Sequence, residues 1–193
     1  YHTVRTLERA GADCIQLEDQ VSPKRCGHFT GKDVIATEDM VNKIKAACDA
    51  RRDEQLLIMA RTDAAAVEGF DAAIERAQCY AQAGADILFV EAVTRLEEIQ
   101  ALPRRLHMPQ LINMVIGGKT PVTHADELAA MGYGLVLYAN ACLQGAVTGM
   151  QRALGHLKQA RRMDEDPQLV APFAERQRLV NKPGWDALEQ RYV

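Results

Sequence analysis

One unit recurs along the chain: a short, mainly apolar run, a polar residue at its end, then a segment with helical spacing. The apolar runs are Cys14-Ile15-Gln16-Leu17, Leu56-Leu57-Ile58-Met59-Ala60, Ile87-Leu88-Phe89-Val90, a fourth opening at Leu111-Ile112, and Leu135-Val136-Leu137-Tyr138. Helical periodicity fills residues 1–10, 37–50, 70–83, 94–106 and 123–131. Gly11, Gly84 and Gly132 stand where a helix stops. Thr37 is placed to cap one helix, with Glu38 and Asp39 in its first turn. Thr94-Arg95-Leu96-Glu97 reads as a capping box. Ala10-Gly11-Ala12-Asp13 and Ala83-Gly84-Ala85-Asp86 are near copies, and Met131-Gly132-Tyr133-Gly134 is a looser third.

Short apolar strands joined through helices predict a parallel sheet covered on its outer face. An open doubly wound sheet and a (β/α)₈ barrel both satisfy this. No glycine-rich phosphate fingerprint follows a strand, which weakens a dinucleotide-binding reading. The expected fold class is therefore α/β, a TIM barrel incomplete at its N-terminal side. Five strands alone would leave open edges, and about three more β/α units would close the barrel. The sequence opens inside a helical pattern without a Met, as expected if the earlier units lie outside it. Residues 1–140 are read as five β/α units. Residues 141–193 are read as terminal helices and an oligomerisation tail. That tail comprises a long helix over 141–162, a polar stretch, and a segment carrying Phe173, Leu179, Trp185, Leu188 and Tyr192. Trp185 is expected to be a packing anchor.

The net charge of -3 leaves no basic footprint for nucleic acid. No apolar run is long enough to span a bilayer, so no membrane partner is expected. Five scattered cysteines fit reduced thiols in the cytoplasm. Cys14, Cys48, Cys79 and Cys142 sit in apolar patterns and are expected to be buried.

In parallel barrels the reactive face is the carboxyl end of the strands. Here almost every strand ends in a polar group: Glu18-Asp19-Gln20, Arg61-Thr62-Asp63, Glu91, Asn113, and Tyr138 with Asn140. Glu18 and Glu91 suit a hard cation, directly or through its waters. Arg61 offers a planar fork for a carboxylate. Asn113 can donate to an oxyanion. The set describes a Mg²⁺ site for a small chelating polyanion. After the first strand comes Ser22-Pro23-Lys24-Arg25-Cys26-Gly27-His28. Neighbouring cations favour a reactive thiol at Cys26. His28 is a second proton carrier near neutrality, and Gly27 permits a tight bend. A loop that carries an acid/base group and closes over an anion is a recurring enzyme device.

Lys24-Arg25-Cys26-Gly27-His28 resembles the signature loop of isocitrate and methylisocitrate lyases. Leu17-Glu18-Asp19-Gln20, Met59-Ala60-Arg61-Thr62-Asp63-Ala64, Phe89-Val90-Glu91-Ala92, and Asn113-Met114 with Gly118-Lys119-Thr120-Pro121 resemble the strand ends of that superfamily, in the same order. The chain is thus identified as resembling the isocitrate lyase and phosphoenolpyruvate mutase superfamily, nearest to methylisocitrate or dimethylmalate lyases.

The resemblance implies a carbon–carbon lyase that uses Mg²⁺, with Mn²⁺ as a possible substitute. It implies Cys26 as acid/base catalyst, with His28 and Glu91 supporting it. Lys24, Arg25, Gly27, Arg61 and Asn113 would contact a small carboxylate substrate, and Glu18 would join the metal shell mainly through water. A homo-oligomer, a tetramer with a helix exchanged between subunits, is also implied. The principal metal-binding aspartates of the superfamily and its Ser-Gly loop are not in this sequence. Val115-Ile116-Gly117 departs from the Thr-Glu-Phe type of segment in methylisocitrate lyases and is nearer to lyases of substituted malates. Phosphorus–carbon bond chemistry, oxaloacetate decarboxylation and an inactive truncated paralogue are the alternatives. The intact thiol loop argues against the first two.

Overall fold

The computed structural model describes residues 1–27, 31–121 and 123–192, and His28 therefore lies outside the described residues. The chain divides into two compact units, Tyr1–Ala139 and Asn140–Val193. The first holds five strands: β1 (Cys14–Glu18), β2 (Leu57–Thr62), β3 (Ile87–Val90), β4 (Gln110–Asn113) and β5 (Leu135–Leu137). They form one sheet in the order β1-β2-β3-β4-β5, and every neighbouring pair is parallel. The helices are α1 (His2–Arg9), α2 (Thr37–Ala50), α3 (Phe70–Gln82), α4 (Leu96–Arg105) and α5 (Ala125–Met131). Strict sequential order decides between the two sheet types, because a doubly wound sheet reverses direction part-way. The arrangement is that of five consecutive β/α units of an α/β barrel.

Strand parity gives the sheet two different faces. Ile58, Ala60, Leu88, Val90 and Ile112 face the helices. Ala60, Leu88, Val90 and Ile112 join Met40 and Ile44 of α2, Ile74 and Tyr80 of α3, Ile99 and Leu102 of α4 and Leu128 of α5 in one buried core. Ile58 packs with Val4 of α1 and Ala47 of α2 in a second. The other face carries Glu18, Arg61, Phe89, Leu111 and Leu135 in one register row. On the same face Met59 and Ile87 join Phe89 in a separate apolar cluster, the kind of side-chain layer that fills a barrel interior.

The repeated glycines do what their positions require. Gly11, Gly84 and Gly132 have φ of +86°, +107° and +109°, values that side-chain-bearing residues rarely adopt. The aspartate that ends the second copy ties the turn to the sheet: Asp86 Oδ2 accepts from the Ile58 amide at 2.8 Å and from Arg51 Nη1 at 2.6 Å. Pro103 lies inside α4 and cannot donate to the Ile99 carbonyl one turn back. The Tyr133 hydroxyl donates to that carbonyl instead, at 2.8 Å.

Several local expectations need correction. Thr37 is the first residue of α2, and the cap position is Ala36, which makes no side-chain cap bond. The Thr94 capping box does not form. Arg95 is still extended, so α4 starts only at Leu96 and Thr94 falls one residue outside the cap. The Arg95 guanidinium pairs with Glu98 instead. Cys14 and Cys142 are exposed, and Cys48 and Cys79 are half-buried. Cys14 belongs to the non-helical face of β1, which has a strand neighbour on one side only.

The second unit contains α6 (Ala141–Ala160), α7 (Phe173–Leu179) and α8 (Lys182–Gln190). Arg161, in the left-handed region at φ +53°, ends α6 two residues before the expected stop. No described residue of these helices is buried. Trp185 is exposed and donates its indole N–H to the Val180 carbonyl at 3.0 Å. No helix among the described residues is long and apolar enough to cross a membrane.

A Cβ at Gly84 would lie 3.1 Å from Cys48 Sγ, on a backbone already in the left-handed region. Gly84→Ala should therefore destabilise the chain by about 1–3 kcal/mol, seen in urea unfolding as a lower midpoint at unchanged slope.

Candidate active site

The tips of β1, β2, β3 and β4 bring Glu18, Arg61, Glu91 and Asn113 together on the non-helical face. Glu18 and Arg61 are direct register partners. Arg61 is buried and central. Its Nε and Nη2 grip Asp63 at 2.8 and 3.1 Å. Its Nη1 lies 3.2 Å from Glu91 Oε2, and its Nε 3.5 Å from Glu18 Oε2. The guanidinium also sits over the Phe89 ring, 5.2 Å from its centre, a favourable cation–π distance. Asn113 donates its amide to Glu91 Oε2 at 3.4 Å.

Burial works against the charge on Arg61, but its bonds to Asp63 and the fields of Glu91, Asp63 and Glu18 outweigh that and push its pKa up. Burial also opposes ionisation of Asp63. The bonds from Arg61 and Lys32 outweigh it and hold the carboxyl below its ordinary 3.8. Arg61 and Asp63 therefore form a charged pair near neutral pH.

Behind it lies a second network. Asp19, fully buried, accepts from Thr62 Oγ1 at 2.7 Å, from the Asp63 amide at 2.9 Å and from the Tyr80 hydroxyl at 2.8 Å. Arg76 Nη1 lies 3.6 Å from the same carboxylate. Burial, and then the charge of Asp19, push the Tyr80 phenol pKa upward, so it stays a donor. This network fixes the β2 tip from the α3 side.

The loop after β1 reaches the same place. Gly27 is buried, and a Cβ there would fall 2.4 Å from Glu91 Cγ and 2.7 Å from Arg61 Nη2. Only a glycine allows the backbone this close to both side chains. Cys26, directly before it, is exposed. Lys24 is exposed, with Nζ 3.3 Å from Glu18 Oε1. The Arg25 guanidinium packs beside Gly31. The Ala92 backbone turns left-handed at φ +58° straight after β3, and its amide donates to Glu91 Oε1 at 2.9 Å.

Glu18, Lys24, Gly27, Arg61, Glu91 and Asn113 are thus assembled in one place, with Cys26 at its margin. Sequence reasoning missed Lys32, Tyr80 and Arg76, and it noted Asp19 and Asp63 only as polar neighbours. Lys32 donates to Asp63 Oδ1 at 2.8 Å and to the Gly27 carbonyl. Nothing in its local sequence separates it from a surface lysine.

Among the described residues, Glu18 Oε2, which faces Arg61 Nε at 3.5 Å, and Asn113 Oδ1 are buried without a hydrogen bond. Buried acceptors of this kind call for a partner. Among the described residues no group of three His, Cys, Asp or Glu could hold a metal ion. The residues therefore fit a water-mediated contact from Glu18 to a cation, and do not supply a complete ligand set.

Comparison with known proteins shows the family to which the chain is related. Residues 1–158 match the family model described as phosphoenolpyruvate phosphomutase. A 2-methylisocitrate lyase of Aeropyrum pernix is 57% identical over 136 residues, which is 70% of this chain and 44% of that protein. A 2,3-dimethylmalate lyase of Eubacterium barkeri is 46% identical, over 77% of this chain and 51% of its own length. A crystal structure of 2,3-dimethylmalate lyase, described as a PEP mutase/isocitrate lyase superfamily member, superposes with a TM-score of 0.86 at 32% identity, covering 98% of this chain and 62% of that one. The chain spans about half the length of the curated relatives it matches.

Asp63→Ala should cost about 3–5 kcal/mol at pH 7, because it strands the buried Arg61 and Lys32 charges. The folded pKa of Asp63 is depressed, so its contribution is complete above 3.8 and is lost as pH falls through the folded value. Urea unfolding at a series of pH values should show the gap between wild type and Asp63→Ala constant above pH 5 and closing only in strong acid.

Proposed function

The chain belongs to the phosphoenolpyruvate phosphomutase family, within the PEP mutase/isocitrate lyase superfamily, and on that premise we propose that it acts as a Mg²⁺-dependent carbon–carbon lyase of small 2-hydroxy di- or tricarboxylates. The observation that carries this reading is the seating of the Cys26-Gly27 segment on Arg61 and Glu91. It brings the residue directly after the thiol onto a cluster of cationic and carboxylate groups at the strand tips.

In this reading the substrate lies at the tips with one carboxylate toward Arg61 and a second toward Asn113. The guanidinium has five N–H donors, and its bonds to Asp63 leave others for substrate. A base takes the hydroxyl proton, and the bond between the hydroxyl carbon and its neighbour breaks in a retro-aldol sense. One fragment leaves as a 2-oxo acid and the other as a carboxylate-stabilised carbanion. Arg61, Asn113 and His28 stabilise that developing charge. Cys26 gives its proton to the carbanion carbon, leaving a thiolate that solvent reprotonates. Glu91, tied to Arg61, Asn113 and the Ala92 amide, keeps the donors aimed. Lys24 and Arg25 add positive charge along the loop. Mg²⁺ when bound would supply Lewis-acid stabilisation of the 2-oxo acid, and Glu18 would hold one of its waters through its carboxylate.

Val115-Ile116-Gly117 favours an alkylmalate-like substrate, and the 57% identity to a methylisocitrate lyase favours the tricarboxylate. Both belong to one reaction class. Residues 141–193 are assigned to assembly of a homotetramer. Supporting this, Leu143, Val147, Met150, Leu154 and Leu157 are exposed at alternating spacings of three and four along α6. Five free cysteines suit a cytoplasmic location.

The test is incubation of the protein with Mg²⁺ and, separately, 2-methylisocitrate, isocitrate, 2,3-dimethylmalate, oxaloacetate and phosphonopyruvate, following release of 2-oxo acid. Turnover confined to the first three supports the lyase. Turnover of phosphonopyruvate alone supports the phosphorus–carbon alternative. Cys26→Ser should lower kcat by about 10²–10⁴-fold with KM nearly unchanged. Near-normal turnover in that variant removes Cys26 from the mechanism.

A further inference from the structure

Two buried side chains that the chemistry above does not use close on the peptide groups either side of Cys26. Before it, the Gln20 carboxamide takes both polar groups of Arg25: Nε2 donates to the Arg25 carbonyl at 2.9 Å, and Oε1 accepts from the Arg25 amide at 2.8 Å. After it, Lys32 Nζ donates to the Gly27 carbonyl. Each tether is itself fixed. Gln20 is held at the β1 tip by an antiparallel bridge to Val34 and by flanking bonds from the Val21 amide to the Asp33 carbonyl and from the Ile35 amide to the Asp19 carbonyl. Lys32 is held by Asp63, which is gripped by the Arg61 fork, while its amide is bonded to Asp19.

A buried ammonium is costly unless every bond is used. Lys32 shares Asp63 with the Arg61 fork. What Lys32 adds is the bond to the residue following the thiol. We propose that Lys32 and Gln20 are positioning residues that suspend Cys26 between the tips of β1 and β2, fixing where its proton is delivered. This rests on the reading of Cys26 as the acid/base group.

The test uses Lys32→Met and Gln20→Met in the full chain. Displacing an acid by about 1 Å lowers turnover by about 100-fold. Both variants should therefore lose kcat on that scale on the best substrate of the panel, with KM within about threefold. A role confined to folding would move stability and leave kcat of the folded fraction intact. Lys32→Arg, which keeps a donor to both Gly27 and Asp63, should recover part of the loss. The second readout needs no turnover. Amide hydrogen exchange at Arg25 should quicken about tenfold in Lys32→Met, although Lys32 does not touch that amide, because the two tethers act as one. Wild-type kcat in either folded variant, or unchanged Arg25 exchange in Lys32→Met, overturns the proposal. Gln20→Met buries no unpaired charge and decides the case if Lys32→Met does not fold. A wild type inactive on every substrate would sink the lyase reading, and exchange alone would then decide whether the tethers are coupled.

Discussion

The Arg61 guanidinium is the interaction on which the rest of the site depends. It is one buried cation among three carboxylates, from the tips of β1, β2 and β3. Parallel strands bring their carboxyl ends to one side and so concentrate like charges there. Without a cation in the middle, Glu18, Asp63 and Glu91 would repel one another in a partly dry setting. With Arg61 in place the three become ligands of a single planar fork, which sets their directions. Phe89 beneath the fork makes a floor that keeps it from folding away.

That arrangement links fold to chemistry through parity. Because successive strand residues alternate faces, the register that buries Ala60, Leu88 and Ile112 against the helices puts Arg61, Phe89 and Leu111 on the opposite face. A one-residue slip of β2 would turn Arg61 toward the helical core. The Asp19 network resists such a slip, since it joins the β1 tip, the β2 tip and Tyr80 of α3 through one carboxylate. The thiol loop then rests on a surface whose atoms are already fixed, and Gly27 is the contact point because no side chain fits there.

Strand order, helix stops and the gathering of Glu18, Arg61, Glu91 and Asn113 at the strand tips were legible in the sequence for one reason: each is a local pattern with a local cause. Gly84 marks a left-handed stop wherever it sits, and a polar residue closing an apolar strand reaches the barrel mouth whatever its partners are. Lys32, Tyr80 and Arg76 were not legible, because their roles arise from approaches across 31, 61 and 57 residues of sequence to Asp63 and Asp19. The Thr94 box failed for a different reason. Its spacing was right, but the left-handed turn at Ala92 and the extended Arg95 delayed the helix beyond it, and a propensity of this size yields to tertiary geometry. Cys14 was misread because an apolar neighbourhood in sequence says nothing about which strand lies at a sheet edge.

A double-mutant cycle shows whether Arg61 and the carboxylates around it form one coupled unit. Arg61→Met, Glu91→Gln and the double variant would be compared in urea unfolding at pH 7. A coupling free energy of about 1–3 kcal/mol is predicted, since Glu91 loses its cation in the first variant and Arg61 loses a carboxylate in the second. Effects that simply add would mean that the two side chains are neighbours without being partners, and the account of the site would be contradicted.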